Sequence, residues 1–327
     1  MPIEPLYPLH FRPILKRLIW GGRRLGSILD KPLGGESDYA ESWEVADHKN
    51  DVSVVADGPL AGRDLRSLIA EFGETLLGSS VGVRAQFPLL VKFLDAHQVL
   101  SVQVHPDDAK ARVLVEDNGK TEAWVILHAE PGSLIYAGLR PGVTREAFAE
   151  SLETGEVEPL LHRFAPKVGD CVMIPAGTVH AIGAGIVLAE IQQMSDATFR
   201  VYDWGRVGAD GSPRTLHKPQ ALEATDYEAG PVHPHPARAD AIAGGTRERL
   251  ASCDYFAIER LRLTGAAEVG SLERFTLVLA IEGAAEIVHD GASYPIARGQ
   301  TRLLPAALGP CEIRPIGEAT VLTCVVP

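Results

Sequence analysis

The chain has 327 residues, 46% hydrophobic and 23% charged, an ordinary soluble globular balance with length for one large or two medium domains. A formal net charge of −12 argues against nonspecific nucleic-acid binding, and it means that an anionic substrate needs local Arg or Lys. The 32 glycines and 23 prolines suit many short strands and turns; the four cysteines lack any Cys-x-x-Cys pair and read as buried or incidental thiols.

Met1-Pro2-Ile3-Glu4 lacks the basic-then-apolar layout of a signal peptide, so the expected location is cytoplasmic. Residues 1–60 read as irregular, with turn signals at Gly21-Gly22 and Gly34-Gly35 and one alternating strand over residues 41–45. Residues 64–77 are predicted helical: Leu65, Leu68, Ile69, Phe72 and Leu76 keep the 3.6-residue period, and Gly78 can stop it. Strands follow at 89–95 and 99–104, then a short helix over 109–115, strands at 122–127 and 133–137, and a helix over 144–152 with Thr144 as N-cap. Strands resume at 170–174, 186–192 and 198–202.

Residues 171–189 contain no Asp, Glu, Lys or Arg, yet Pro175, Gly177, Gly183 and Gly185 make buried strands joined by turns the better reading than a membrane helix. Between residues 228 and 245, Gly-Pro-Val-His-Pro-His-Pro and an Ala-rich, Gly-Gly stretch form the best linker candidate. A second strand series follows at 256–263, 275–281, 285–289, 301–304, 311–315 and 321–326. Within it, residues 298–307 can be laid over residues 168–177: a Gly-polar-x-x-apolar-apolar-Pro-Ala pattern recurs, but no histidine follows the later copy. Two barrels, one with ligands and one without, account for this.

The chemistry concentrates in two places. In residues 169–180, a Gly-Asp turn feeds a short apolar strand, Pro175 and Gly177 force a tight reversal, and His180 follows three residues later. A reversal so constrained holds the next side chain in a defined direction, as a metal ligand requires. This Gly-x5-Pro-x-Gly-x2-His spacing resembles the second sequence motif of the cupin superfamily of small metal-bearing β-barrels. The other place is Leu100-Ser101-Val102-Gln103-Val104-His105-Pro106, where Gln103 and His105 share one strand face and Val102 and Val104 the opposite, apolar one. The same arithmetic puts Lys120 and Glu122 on one face. Two histidines, a glutamate and a glutamine on adjacent strands make a divalent-cation site with room for water or substrate, suited to Zn²⁺ but also to Fe²⁺, Mn²⁺ or Co²⁺. His233-Pro234-His235, by contrast, reads as a solvated turn, and Trp43-Glu44 fits a sugar-lining or a core role equally well.

Phe87-Pro88-Leu89-Leu90-Val91-Lys92, the 100–106 segment, Lys120-Thr121-Glu122, Gly177-Thr178-Val179-His180-Ala181, Ser195-Asp196-Ala197-Thr198-Phe199-Arg200 and Arg200-Val201-Tyr202-Asp203-Trp204-Gly205-Arg206 together resemble type I mannose-6-phosphate isomerases of the short bacterial branch. The resemblance covers residues 5–220 in order. It implies a mainly β fold of two cupin (jelly-roll) barrels with inserted α-helices: residues 1–235 as a metal-bearing catalytic unit and 245–327 as a cupin-like unit without ligands. It further implies one Zn²⁺ per chain held by His105, Glu122 and His180, with Gln103 as a fourth ligand, and an essential arginine at Arg200. Lys92, Lys120, Glu190 and Asp196 would line the site. Arg206 stands where longer family members carry a lysine; either residue can bind phosphate, with different geometry.

Interconverting an aldose and a ketose requires moving a proton from one carbon to its neighbour through an enediol(ate). A metal polarises the carbonyl, a carboxylate or histidine shuttles the proton, and a cation such as Arg200 offsets developing negative charge. Glu190 and Asp196 are both candidates for the base. The expected partner is a small sugar phosphate, with no nucleic acid, membrane or obligate protein partner. Two other classes fit a cupin with two His and one Glu: an Fe²⁺ oxygenase, and a sugar-binding or regulatory module without turnover. Arg200 and two lysines beside the metal favour the phosphosugar isomerase over both.

Overall fold

Alternation of inward and outward residues in the first two-thirds of the chain builds two antiparallel sheets that share an interior. The computed structural model describes residues 6–49, 51–207 and 211–327; the reading of residues 1–4 as lacking a signal lies outside them. A six-stranded sheet runs in the order Cys171–Ile174, Glu122–Ala129, Ile186–Gln193, Leu89–Ala96, Tyr39–Val45, Ile14–Gly22. The five-stranded sheet runs Leu161–Phe164, Ile135–Leu139, His180–Ile182, Val102–Val104, Phe199–Tyr202. Trp124, Ile126, Leu94 and Leu188 of the first sheet and Ile135, Ala137 and Ile182 of the second form one buried cluster between them.

The outer face of each sheet is also covered. Val102 and Val104 turn away from Gln103 into a second cluster with Phe148 and Leu152 of the helix Arg145–Thr154 and Ala221 of the helix Lys218–Ala224. Val91, Phe93, Val125 and Ala189 on the back of the six-stranded sheet pack in a third cluster with Phe275, Leu277 and Leu279 of the C-terminal half. That half supplies eight strands of a nine-stranded antiparallel sheet dominated by two long strands, Thr276–His289 and Cys311–Val325. Register shifts between Ala280 and Glu282 and between Gly283 and Ala285 mark where the first of these strands departs from regular pairing. The fold is mainly β with inserted helices, as the sequence predicts.

Three expectations change. Residues 1–60 are more regular than their turn signals suggest: Ile14–Gly22 is a strand and Arg24–Leu29 a helix. The strand was hidden because its pairing breaks between Arg17 and Gly22, both opposite Tyr39, so the residues between them are looped out. The predicted helix over 64–77 is two helices, Leu65–Phe72 and Glu74–Leu77, split at Gly73 with φ +48°; Asp64 caps the first by accepting from the Ser67 amide. The stretch expected to be a linker is fastened down. Val232 and His235 donate backbone hydrogen bonds to Ala137 and Cys171, and Ala239–Ile242 forms a hairpin with Gly245–Ser252 through Gly244 at φ +77°. At the other end, Leu9–His10 pairs with Thr301–Leu304, so the start of the chain completes the C-terminal sheet. No helix among the described residues is long and apolar enough to cross a membrane.

Candidate metal centre and substrate cavity

Gly177 sits at φ +89°, which a glycine adopts without strain, and its amide donates to the His105 carbonyl at 2.8 Å. The Pro175–Gly177 reversal therefore fixes both histidine-bearing segments at once. Strand pairing does the rest: His180 lies opposite Gln103, and Gln103 opposite Arg200, across the five-stranded sheet. Glu122 begins its strand on the facing sheet and pairs with Ile174 and Gln192.

His105, Glu122 and His180 are all buried, and their ligand atoms lie within 4.8 Å of one another. His105 Nδ1 is 2.9 Å from the Ala197 carbonyl oxygen, and His180 Nδ1 is 2.8 Å from that of Thr178. A carbonyl only accepts, so each Nδ1 carries the proton and each Nε2 presents a lone pair. Those Nε2 atoms stand 3.4 and 3.6 Å from the two Glu122 oxygens. Both Nε2 atoms and Glu122 Oε2 are buried without a hydrogen-bond partner among the described residues. Acceptors turned toward one another with no proton between them are unfavourable unless a cation joins them. Two imidazoles and one carboxylate fit a divalent transition metal, with the remaining positions open to Gln103, water or substrate.

The electrostatics agree. Burial, helped by the Lys120 charge, pushes the His105 imidazole down to about 3, and burial also lowers His180, so both stay neutral as ligands must. Burial opposes ionisation of Glu122, but the Lys120 ammonium, 3.2 Å away, holds its carboxyl well below the usual range.

Beside this centre opens a cavity of about 560 Å³ lined by Gln103, Lys92, Lys120, Glu190, Asp196 and Arg200, along with Glu41, Arg17 and Arg214. Glu190 and Lys92 face each other on adjacent strands at 3.2 Å. Glu190 also accepts from the indole of Trp124 at 3.0 Å. Burial, then the Glu122 charge, raises the Glu190 carboxyl despite its lysine neighbours. Burial works against the Lys92 ammonium, yet Glu41, 3.5 Å away, and Glu190 raise it above its ordinary value. Asp196 is exposed at the cavity's edge.

Nine of the ten site residues named from sequence thus converge here, and Arg206 does not. Its guanidinium is engaged by the Val99 carbonyl and by Asp203. The sequence reading missed Glu41, Arg17 and Arg214. The alternation over residues 41–45 was visible, but a single strand does not say which face meets a cavity. Trp43 is core: it is buried and lies beneath the Lys92 ammonium at 5.1 Å. His233 is exposed and packs edge-on against His162, far in chemistry from a ligand pair.

The comparisons with known proteins agree with this geometry. Residues 9–123 match the model of the phosphomannose isomerase type I catalytic domain, and residues 246–323 that of the mannose-6-phosphate isomerase cupin domain. The chain is 37% identical to mannose-6-phosphate isomerase ManA of Bacillus subtilis (strain 168) over 96% of this chain and 98% of that one. It is 34% identical to mannose-6-phosphate isomerase of Streptococcus mutans, covering 91% and 92% of the two chains. The crystal structure of the Bacillus subtilis mannose 6-phosphate isomerase superposes with a TM-score of 0.88 at 30% identity, covering 97% of this chain and 99% of that one. On this likeness along nearly its whole length, the chain belongs to the type I phosphomannose isomerase family.

Proposed function

We propose that this chain is a zinc-dependent mannose-6-phosphate isomerase, interconverting mannose 6-phosphate and fructose 6-phosphate. The observation that carries the reading is the buried His105–Glu122–His180 group, whose unpartnered Nε2 atoms face one carboxylate beside the Glu190–Lys92 pair. Those three residues would hold Zn²⁺, with Gln103 on the same strand face as a fourth ligand. When bound, zinc supplies Lewis-acid polarisation of the sugar carbonyl.

The chain's residues supply the rest. Glu190, buried and raised toward neutrality, is the group suited to take the proton from C2 of the aldose and return it to C1 as the proton on O2 passes to O1. Asp196, at the exposed edge, is less suited to hold a proton out of exchange with water. Trp124 and Lys92 fix the Glu190 carboxylate in one orientation. Lys120 and Arg200 place positive charge on the cavity wall, where negative charge develops on the sugar oxygens.

The test is a coupled isomerase assay on protein purified without a histidine tag, with metal analysis of the same sample. Stoichiometric zinc and turnover of mannose 6-phosphate, abolished by chelation and restored by Zn²⁺, are expected. Zinc-loaded protein that turns over no hexose phosphate overturns the reading, as does iron with O₂-dependent turnover.

A further inference from the structure

Three guanidiniums meet around one carboxylate at the end of the cavity formed by the strand Phe199–Tyr202. Asp203 pairs with Arg206 through Oδ1 and lies 3.5 Å from Arg214 Nε through Oδ2. Arg200 feels the charges of Arg214, Asp203 and Arg206; burial and the two neighbouring cations lower its guanidinium. Among the described residues, three positive charges face one negative here, in a chain whose net charge is −12. A phosphate monoester carries about two negative charges near neutral pH.

The three arginines are not equivalent. Arg206 donates to the Val99 and Asp203 carbonyls and to the Asp203 carboxylate, so its fork is occupied. Arg200 donates one Nη to the Thr215 carbonyl at 2.9 Å, and its buried Nε has no partner among the described residues. Among the described residues, the one charged partner of Arg214 is Asp203 at that longer distance, and its side chain lines the cavity together with Arg200.

The chain around Arg214 is built to hold it there. Val207 bridges Pro213 just before it, and just after it the His217 amide donates to the Arg200 carbonyl at 2.8 Å while the Arg200 amide donates to His217 Nδ1 at 3.1 Å. Arg206 holds Asp203, and Asp203 aims Arg214.

We infer that Arg214, rather than Arg206, is the cation that receives the substrate's phosphate, with Arg206 and Asp203 acting as positioning residues. This rests on the proposed function for the identity of the substrate. It assigns a specificity residue that a comparison of the Asp-Trp-Gly-Arg segment alone would place eight residues too early.

Steady-state kinetics with mannose 6-phosphate and calorimetric titration of the zinc-loaded protein with inorganic phosphate test it. Arg214→Ala is expected to raise KM roughly ten- to a hundredfold with kcat kept within a few-fold, the effect of losing one charge-assisted contact. Phosphate affinity should fall in parallel at unchanged zinc content, and Arg214→Lys should recover part of both. Arg206→Lys, which keeps the charge near Asp203, should move KM much less than Arg214→Ala. Unchanged KM and phosphate affinity in Arg214→Ala overturn the inference, as does a larger loss in Arg206→Lys than in Arg214→Ala. Phosphate binding that depends on Arg214 in a protein without isomerase turnover would sink the proposed function and leave this assignment standing.

Discussion

At the scale of single residues, the site separates two carboxylates by environment alone. Glu122 and Glu190 are both buried on the same sheet, two positions from a lysine or directly opposite one. Glu122 is held ionised by the Lys120 ammonium, whereas burial and the neighbouring Glu122 charge raise Glu190. The first is suited to bind a cation and the second to exchange a proton. Glu190 must be ionised to accept that proton, so activity falls as pH drops through its raised pKa. The acid limb of kcat/KM should therefore lie above the ordinary glutamate range, and kcat in Glu190→Gln should fall by roughly 10²–10⁴, the scale of lost general-base catalysis. Zinc content should stay at one per chain in that variant. A Glu190→Gln enzyme with near-normal kcat would return the proton transfer to Asp196.

At the scale of elements, the reversal between Cys171–Ile174 and His180–Ile182 is the part most fully legible in the sequence, because its constraints are local. Pro175 fixes one φ, Gly177 takes φ +89°, and the strand that follows starts at the ligand. A Cβ on Gly177 would come within 2.9 Å of the Asp226 side chain and 3.2 Å of its backbone nitrogen. Gly177→Ala is thus expected to cost about 1–3 kcal/mol through strain at positive φ. Because the Gly177 amide also supports the His105 carbonyl, zinc affinity should weaken with it, whereas His233→Ala should change neither. A Gly177→Ala protein with unchanged melting temperature and zinc affinity would show that the turn is not what orients the ligands. Residues 298–307 repeat the same pattern with Gly299 at φ +79° and the strand Thr301–Leu304, but Ala306–Leu308 forms a 3-10 turn in place of the glycine reversal. His180 was legible from the Pro175–Gly177 reversal, and Gln103, His105 and Glu122 from an equally local rule, as period-two spacing puts Gln103 with His105 and Lys120 with Glu122 on one face. Arg214 was not, since its place depends on a loop return and on Asp203 being held by Arg206. The strand Ile14–Gly22 escaped because a looped-out stretch breaks its alternation, and with it went Arg17 on the cavity wall.

At the scale of the whole molecule, the two halves that the sequence separates are welded by the back of the catalytic sheet. Phe87 and Phe275 pack ring against ring at 4.7 Å, both fully buried, within one cluster that takes in Val91, Phe93, Leu277 and Leu279. The Phe275 amide donates to Leu77, Tyr255 donates to Asp108 at 2.8 Å, and Arg260 donates to the Gly169 carbonyl at 2.8 Å. That last contact touches the turn leading into the metal-ligand motif. The C-terminal half therefore serves as the floor on which the six-stranded sheet rests. Phe275→Ala is expected to destabilise by about 3–5 kcal/mol, the range for emptying a buried phenylalanine site. Since the cluster spans both halves, unfolding should remain a single cooperative transition, followed equally by the tryptophans, all of which lie in the first half, and by far-ultraviolet circular dichroism. If the tryptophan signal kept its midpoint while part of the strand signal melted early, the C-terminal half would be an independent appendage rather than a support.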